Sequence, residues 1–399
     1  MKKLGFGTMR LPLLDEGDQK SIDLKQLSQM VDLFLDKGFT YFDTAYPYHE
    51  EQSEIAVRKC LVERYARETF LLADKMPLFQ VNRAADYERI FREQLEKCGV
   101  EYFDYYLLHN LGTDRYGKTL ELGGFDFAAR MKREGYIRQM GFSFHDSAEL
   151  LERILTEHPE VDFVQLQINY LDWESPVAQS RLCYETVVRH GKPVVVMEPV
   201  KGGTLATLPE RATQVLREVE AGGSTDTVAG TAAVLGTEAV ASTAENTSTT
   251  PGLTHSPASY AVRYAASLEN VFMVLSGMSN LAQLEDNTSY MQEFVPLSAR
   301  ERAALAQVTD IMNETIDIPC TSCRYCMEEC PKNIHIPAYF GLYNLYSVTG
   351  KKTNMYYQRY SMDHGKALDC IKCGKCERIC PQHISIREQL KRFAKLYEE

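Results

Sequence analysis

Short runs of β-branched and aromatic residues alternate with amphipathic helical stretches from Leu4 to about Leu275. This alternation predicts βαβ units around a parallel sheet. Eight strand candidates can be counted, and eight such units are typical of an α/β protein with a (β/α)8 TIM barrel, whose chemistry lies on the loops after the strands. The candidate strands begin at Leu4, Thr40, Thr69, Tyr102, Ile137, Val161, Pro193 and Val271.

One stretch interrupts this pattern within the predicted barrel of residues 1–296. Residues 220–257 are dominated by Gly, Ser, Thr and Ala and contain no aromatic residue. Because such a segment buries too little to offset its ordering entropy, we predict a mobile insertion in the seventh unit, a solvated loop rather than a functional lid. A linking helix is predicted at 297–315, followed by a second domain at 316–399.

The size and charge of the chain limit the number of domains that it can form and the kinds of partner that it can bind. Its 399 residues suit a barrel and a smaller domain. No apolar run of about 18 residues could cross a bilayer, and the N-terminus lacks the apolar core of a signal peptide, so we expect a cytoplasmic protein without membrane contact. The net charge of −11 is spread along the chain without a basic stripe, which argues against nucleic acid as a partner.

Eight of the eleven cysteines fall within the last 80 residues, in two matching runs. CTSCRYCMEECPKNIHI, from Cys320, recurs 50 residues later as CIKCGKCERICPQHISI, from Cys370, which indicates an internal duplication. Each run reads C-x2-C-x2-C-x3-C-P, the bacterial ferredoxin pattern for [4Fe–4S] clusters, with zinc as the weaker alternative. We therefore predict a small helical ferredoxin-like domain that binds two [4Fe–4S] clusters.

The fourth cysteine of such a run usually ligates the cluster of the other run. We therefore assign one cluster to Cys320, Cys323, Cys326 and Cys380. The second cluster is assigned to Cys370, Cys373, Cys376 and Cys330. The long, Tyr-rich segment between the two runs resembles that of the helical ferredoxins of multi-subunit reductases.

Four polar residues lie at the ends of successive strand candidates: Asp43 and Tyr48 in FDTAYPYHEEQSE, Lys75 in LLADKMP and His109 in YLLHN. Singly, each has a structural explanation, such as a helix cap or a satisfied core histidine. In this order they resemble the catalytic tetrad of the aldo/keto reductase family. The resemblance implies that Tyr48 is a general acid, that Lys75, paired with Asp43, brings the pKa of Tyr48 towards neutrality, and that His109 orients the carbonyl.

The same resemblance implies a nicotinamide cofactor, NAD(P)H. Met197 stands where many members of the family place an aromatic ring. No lysine or arginine lies between Gly277 and Asn287 to pair with a 2′-phosphate, so the choice between NADH and NADPH stays open, with a lean away from NADPH. The cofactor contacts implied by matching motifs are Thr8, Met9, Ser143, Gln165, Met197, Pro199, Gly202, Gly277, Ser279, Gln283 and Asn287.

The expected function is the interconversion of a small carbonyl and an alcohol, with the clusters relaying electrons to or from a ferredoxin or flavoprotein. A hydride carries two electrons and a cluster carries one, so direct coupling normally needs a flavin, and the sequence shows no flavin motif. Two alternatives stay open: a nucleotide-binding redox sensor without turnover, and a reductase fed by ferredoxin or flavin in place of NAD(P)H.

Overall fold

The computed structural model describes residues 2–175, 178–222, 250, 252–349, 352, 354–362 and 364–398. Most of the insertion predicted at 220–257 lies outside these described residues. In the described part of the chain, no helix has the length and apolar character needed to cross a membrane.

Eight parallel strands close into a barrel in chain order, with the last strand paired to the first. Each predicted strand overlaps an observed one, which confirms the (β/α)8 barrel. The strands are β1 (Leu4–Gly7), β2 (Tyr41–Asp43), β3 (Leu71–Met76), β4 (Phe103–Leu111), β5 (Ile137–Phe144), β6 (Phe163–Gln167), β7 (Val194–Met197) and β8 (Val271–Gly277).

Apolar side chains from alternate strands, including Tyr41, Leu107 and Phe163, fill the interior of the barrel. Helices cover its outside and form most of the C-terminal domain. The described α-helices are α1 (Leu24–Asp36), α2 (Ser53–Val57), α3 (Ala84–Cys98), α4 (Thr113–Glu121), α5 (Gly124–Arg133), α6 (Ala148–Glu157), α7 (Ser180–Arg189), α8 (Glu210–Glu220), α9 (Pro257–Ala266), α10 (Leu281–Gln292), α11 (Ala299–Thr315), α12 (Tyr325–Glu328), α13 (Ile336–Thr349), α14 (Asn354–Met362), α15 (Lys375–Ile379) and α16 (Ile386–Tyr397).

Helix α11 occupies the segment predicted as a link between the domains. Its N-cap is Ser298, whose side chain accepts the Glu301 N–H while the Glu301 carboxylate accepts the Ser298 N–H. Leu305, Val308 and Met312 then pack in one apolar cluster with residues of α8 and α9. The link is therefore a helix that lies against the barrel.

The two cysteine runs fold alike, as the sequence repeat predicts. Left-handed backbone conformations recur at the same offset of 50 residues, at Ser322, Arg324 and Asn333 and again at Lys372, Gly374 and His383. A short helix, α12 or α15, follows the second of these left-handed residues in each run, Arg324 or Gly374. The repeated isoleucines are buried in the core of this domain: Ile334, Ile336, Ile384 and Ile386.

The C-terminal domain is docked on the catalytic rim of the barrel, where the strands end. An Arg10 guanidinium N–H donates to the Thr321 carbonyl oxygen at 2.9 Å. The side-chain amides of Gln167 and Gln382 bond reciprocally, at 3.1 and 2.7 Å. Gly202 has a φ of +66°, and a Cβ there would lie 2.2 Å from the Thr321 carbonyl oxygen, so only glycine permits this approach.

Candidate active site

A cavity of about 840 Å³ opens at the catalytic rim. Asp43, Tyr48 and His109 line it at one end. Of the predicted cofactor contacts, all but Thr8 also line this cavity: Met9, Ser143, Gln165, Met197, Pro199, Gly202, Gly277, Ser279, Gln283 and Asn287. The structure therefore brings nearly all of these residues to one space, as loops that follow barrel strands should do.

Lys75 and Asp43 form a fully buried ion pair beneath this cavity. The Lys75 Nζ donates to Asp43 Oδ1 at 2.5 Å and to the Thr44 carbonyl oxygen at 2.7 Å. Burial raises the pKa of Asp43, and the neighbouring ammonium of Lys75 opposes that shift. The second oxygen of Asp43 has no hydrogen-bond partner among the described residues. Each of these buried charges thus offsets the desolvation cost of the other.

Tyr48 is buried next to this pair. The Lys75 Nζ lies 4.9 Å from the centre of the Tyr48 ring. Burial, with the nearby Asp43 carboxylate, raises the pKa of Tyr48 well above its ordinary value. The predicted shift towards neutrality is therefore wrong for this structure, because desolvation dominates and the Lys75 ammonium is held by Asp43 and Thr44. Tyr48 remains a protonated phenol at neutral pH.

His109 faces Tyr48 across the cavity, with 6.1 Å between ring centres. Burial and the positive charge of Lys75 lower the pKa of His109 well below its ordinary value, so the imidazole is neutral. Its Nε2 atom lies 3.1 Å from the Tyr325 hydroxyl. The Nδ1 atom is buried without a hydrogen-bond partner in the described part of the chain.

Tyr325 is the site residue that the sequence analysis missed. It begins α12, between two cysteines of the first run, and its hydroxyl hydrogen-bonds His109 in the neighbourhood of Tyr48. Cys323 and Pro381 of the same domain also line the cavity. The C-terminal domain is therefore part of the wall of this site. A sequence cannot reveal this contact directly, because it joins residues 216 positions apart.

Two polar residues form a pocket that suits a primary amide. The Gln165 Oε1 atom is buried without a hydrogen-bond partner among the described residues. The Ser143 hydroxyl accepts the Asn110 N–H at 2.8 Å, which leaves its own proton for another acceptor. An amide can thus donate to Gln165 and accept from Ser143. The residues present fit the carboxamide of a nicotinamide ring, with Met197 beside Gln165 at 3.4 Å from its Nε2 atom.

The other end of the cavity carries Ser279, Gln283, Asp286 and Asn287. The Gln283 Oε1 atom accepts the Ser279 N–H at 2.8 Å. Asn287 is held inside α10, where its Nδ2 atom donates to the Gln283 carbonyl oxygen at 2.7 Å. Thr8 lies outside the cavity, because its hydroxyl donates to the Asp43 carbonyl oxygen at 3.0 Å. Thr8 is thus placed to support the loop that carries the tetrad.

A buried acidic pair lies behind the tetrad. The Glu54 and Asp74 carboxyl groups and the Cys98 thiol lie within 4.8 Å of one another. Burial raises the pKa of Asp74 to about 7. Burial and the Asp74 charge raise the pKa of Glu54 well above its ordinary value. At neutral pH this pair therefore retains a proton, next to the backbone of Lys75, whose N–H donates to Asp74 Oδ1 at 2.8 Å.

The eight clustered cysteines surround two separate cavities in the C-terminal domain, and none of them forms a disulfide. Lining the inner cavity, on the side of the barrel, are Cys320, Cys323, Cys326 and Cys380. Lining the outer cavity are Cys330, Cys370, Cys373 and Cys376. These are the two crossed ligand sets assigned from the sequence. Four thiols around one space are the donor set that a [4Fe–4S] cluster requires.

Comparisons with known proteins agree with both domains. The aldo/keto reductase family matches residues 3–310, which include most of α11, and the 4Fe-4S dicluster domain matches residues 319–385. The comparison with curated proteins found no match.

Solved structures share the barrel at low sequence identity. The holo form of aldo-keto reductase AKR11C1 from Bacillus halodurans is 22% identical, with a TM-score of 0.54, over 77% of this chain and 91% of that chain. An aldo-keto reductase from Klebsiella pneumoniae in complex with NADPH is 19% identical, with a TM-score of 0.54, over 77% of this chain and 90% of that chain. At these identities the likeness shows the fold alone.

Proposed function

This chain belongs to the aldo/keto reductase family, and from that premise we propose that it interconverts a small carbonyl and its alcohol with a nicotinamide cofactor, using Tyr48 as the general acid. The observation that carries the proposal is the buried group of Lys75, Asp43, Tyr48 and His109 at one end of the rim cavity. Turnover of NADH or NADPH with a panel of small aldehydes tests it.

Tyr48 and His109 can act on a carbonyl oxygen placed between them. A nicotinamide bound along the rim would supply the hydride to the carbonyl carbon. The developing alkoxide is far more basic than a phenolate, so Tyr48 can donate its proton even with a raised pKa. His109, being neutral, can donate a hydrogen bond to the same oxygen without giving up a proton. Lys75 stabilises the tyrosinate that forms, because its positive charge adjoins the Tyr48 ring.

The Tyr325 hydroxyl now holds the position that this reaction requires for the carbonyl oxygen. It hydrogen-bonds His109 and lies close to Tyr48, and these are the two groups that would bind the substrate. A carbonyl compound must therefore displace the Tyr325 hydroxyl before it can react. The ferredoxin-type domain thereby controls access to the reactive groups of the barrel.

Tyr325→Phe is expected to lower KM for a small aldehyde about tenfold, with kcat changed less than about threefold. The variant keeps the ring but removes a hydroxyl that competes with the substrate, and one hydrogen bond contributes on the order of 1 kcal/mol. Steady-state kinetics with butanal measures both constants. The control is Tyr339→Phe in the same domain, which removes a hydroxyl that bonds the Gly365 carbonyl oxygen. A lower kcat with an unchanged KM would contradict this prediction, because it would mean that the Tyr325 hydroxyl assists the chemical step and does not compete with the substrate.

NADH is expected to be preferred to NADPH. The end of the cavity around Gln283 presents the Asp286 carboxyl group and no lysine or arginine between Gly277 and Asn287. A 2′-phosphate there would find no cationic partner within this segment. We predict that kcat/KM for NADH exceeds that for NADPH, and that Gln283→Arg shifts the ratio towards NADPH by about tenfold, as one charge-assisted hydrogen bond would. A wild-type preference for NADPH would contradict this prediction.

We propose that each thiol cavity holds one [4Fe–4S] cluster. The inner set would be Cys320, Cys323, Cys326 and Cys380, and the outer set Cys330, Cys370, Cys373 and Cys376. The two lined cavities support this crossed arrangement. Iron and sulfide analysis of protein prepared without oxygen tests the number of clusters.

One observation favours a second candidate function, a reductase fed through the clusters. Cys323, a proposed ligand of the inner cluster, lines the same cavity as Tyr48. A cluster there could pass single electrons to a bound substrate, with one proton supplied to oxygen by Tyr48 and a second supplied to carbon from the solvent. Such a reductase would need two successive one-electron transfers per carbonyl, and it would turn over with a reduced ferredoxin in the absence of any nicotinamide.

A further inference from the structure

The two thiol cavities differ in what they face. The inner one adjoins the catalytic cavity through Cys323. In the outer one, Cys373 is exposed, whereas the other seven clustered cysteines are buried or only partly exposed. The domain therefore has an inner end at the barrel and an outer end at the molecular surface.

Two apolar side chains flank the outer end. Leu368 and Ile371 lie on either side of Cys370, and each is 58% exposed. Single exposed apolar residues are common and mean little alone. Next to an exposed thiol of a redox site, however, they form a small apolar surface. A second protein that binds there would exclude water from this surface and approach the thiol closely.

The exposed charged residues around this contact are mostly basic, with Asp369 as the acidic exception. Lys366, Lys372, Lys375 and Arg378 are all exposed. Residues 364–399 contain eight Lys or Arg and five Asp or Glu, within a chain whose net charge is −11. The outer end is thus a positive region on a negative protein. We call the surface formed by Lys366, Leu368, Ile371, Lys372, Cys373, Lys375 and Arg378 the Cys373 face.

A groove of about 560 Å³ extends from Cys373 towards the barrel rim, and its wall includes three arginines. Arg115, Arg378 and Arg387 line it, with Asp146 and Glu377 as the acidic residues. Glu377 is paired with Arg387 at 2.7 Å, and Asp146 accepts the Thr113 N–H at 2.8 Å. The three arginines exceed the two carboxylates by one, so the groove carries a small net positive charge that favours an acidic side chain from outside.

A simpler explanation is that these cations offset the negative charge of the thiolate-bound clusters. This explanation does not fully account for Lys372 and Lys375. Their side chains are exposed, and charge in water acts weakly on a partly buried group. Solvated lysines act more effectively on an approaching protein, whose association they accelerate and orient.

We propose that the Cys373 face is the docking surface for a small acidic protein that carries one electron at a time. This inference rests on the proposed cluster ligation. In the step, the reduced carrier loses one electron and the outer cluster gains it, and no bond is made and no proton moves. The inner cluster then receives that electron beside the catalytic cavity. Such contacts are small and depend strongly on charge.

The test uses the full chain with its clusters and an acidic [2Fe–2S] ferredoxin as the probe. Binding is measured without oxygen by surface plasmon resonance, at about 20 mM and about 300 mM salt. The double variant Lys372→Glu with Lys375→Glu is expected to raise Kd at least about tenfold at low salt, because two attractions become repulsions. At high salt, wild type and variant should converge.

The matched control reverses two exposed charges on barrel helices, in the double variant Lys59→Glu with Arg133→Glu. It should leave Kd within about twofold of the wild-type value. Iron and sulfide content must equal that of the wild type in every variant. Since the readout needs neither nicotinamide nor a carbonyl substrate, failure of the proposed reaction would leave this test intact.

Three outcomes would overturn the proposal. One is an unchanged Kd in the Lys372 and Lys375 double variant. Another is binding of the basic carrier cytochrome c as tightly as the acidic ferredoxin, which would exclude charge as the basis of recognition. The third is a dimer, detected by sedimentation, that the double variant dissociates, which would assign the Cys373 face to a second copy of this negatively charged chain.

Discussion

Tyr48→Phe is expected to lower kcat for aldehyde reduction about 10²- to 10⁴-fold, the usual contribution of general acid catalysis. The change removes only the hydroxyl that donates the proton, while the ring stays packed against Lys75 and His109. The Kd of the nicotinamide cofactor, measured by fluorescence titration, should stay within about twofold, since the residues that suit the cofactor are unchanged.

The matched control for this variant is Tyr46→Phe. Tyr46 lies two residues earlier in the same loop, and its hydroxyl donates to Glu93 at 3.0 Å, away from the cavity. Its kcat should be close to the wild-type value. If Tyr48→Phe and Tyr46→Phe retained equal activity, Tyr48 would not be the general acid.

Lys75→Met is expected to abolish turnover and to lower the free energy of unfolding by about 3–5 kcal/mol. The cost arises because a buried Asp43 carboxylate loses the charged partner that it has among the described residues, which is the usual penalty for breaking a buried pair. Equilibrium unfolding in urea, monitored by circular dichroism, measures it. The double variant that also carries Asp43→Asn should recover most of the lost free energy of unfolding, because an amide has no charge that needs a partner.

The stability loss in Lys75→Met should also depend on pH. Burial already raises the pKa of Asp43 in the folded protein, and removal of the ammonium raises it further. The folded variant then binds a proton that the unfolded chain releases at lower pH, so its stability falls as pH rises through this range. The deficit relative to wild type should therefore be smaller at about pH 5 than at about pH 8. An equal deficit at both values would mean that Asp43 is not the uncompensated group.

The barrel was predictable from the sequence because its signals are local. β-Branched and aromatic runs mark each strand, and a helical pattern follows each of them, so all eight strands could be assigned before the structure was known. The crossed thiol sets were predictable for the same reason, since the repeat places Cys330 and Cys380 at matching positions. The positions of Asp43 and His109 at the ends of their strands likewise allowed both to be placed on the same rim of the barrel.

Contacts between the domains were beyond the reach of the sequence. Nothing local marks Tyr325 as a neighbour of Tyr48, or Gly202 as a glycine required by the Thr321 carbonyl oxygen. The pKa of Tyr48 was predicted in the wrong direction, since sequence motifs reveal neighbouring charges but not the degree of burial. The missed contacts and the wrong direction of the pKa shift have the same origin, because both depend on tertiary packing between residues that are far apart in the chain.

The central claim is that a hydride passes from nicotinamide to a carbonyl within the cavity shared by Tyr48 and the ferredoxin-type domain. The most direct test is reduction of an aldehyde with NADH deuterated at its transferable position, in ordinary water, followed by mass spectrometry of the alcohol. We predict that the deuterium appears on the carbinol carbon. An alcohol whose new C–H hydrogen comes from the solvent would contradict the claim and would point to electrons delivered through the clusters.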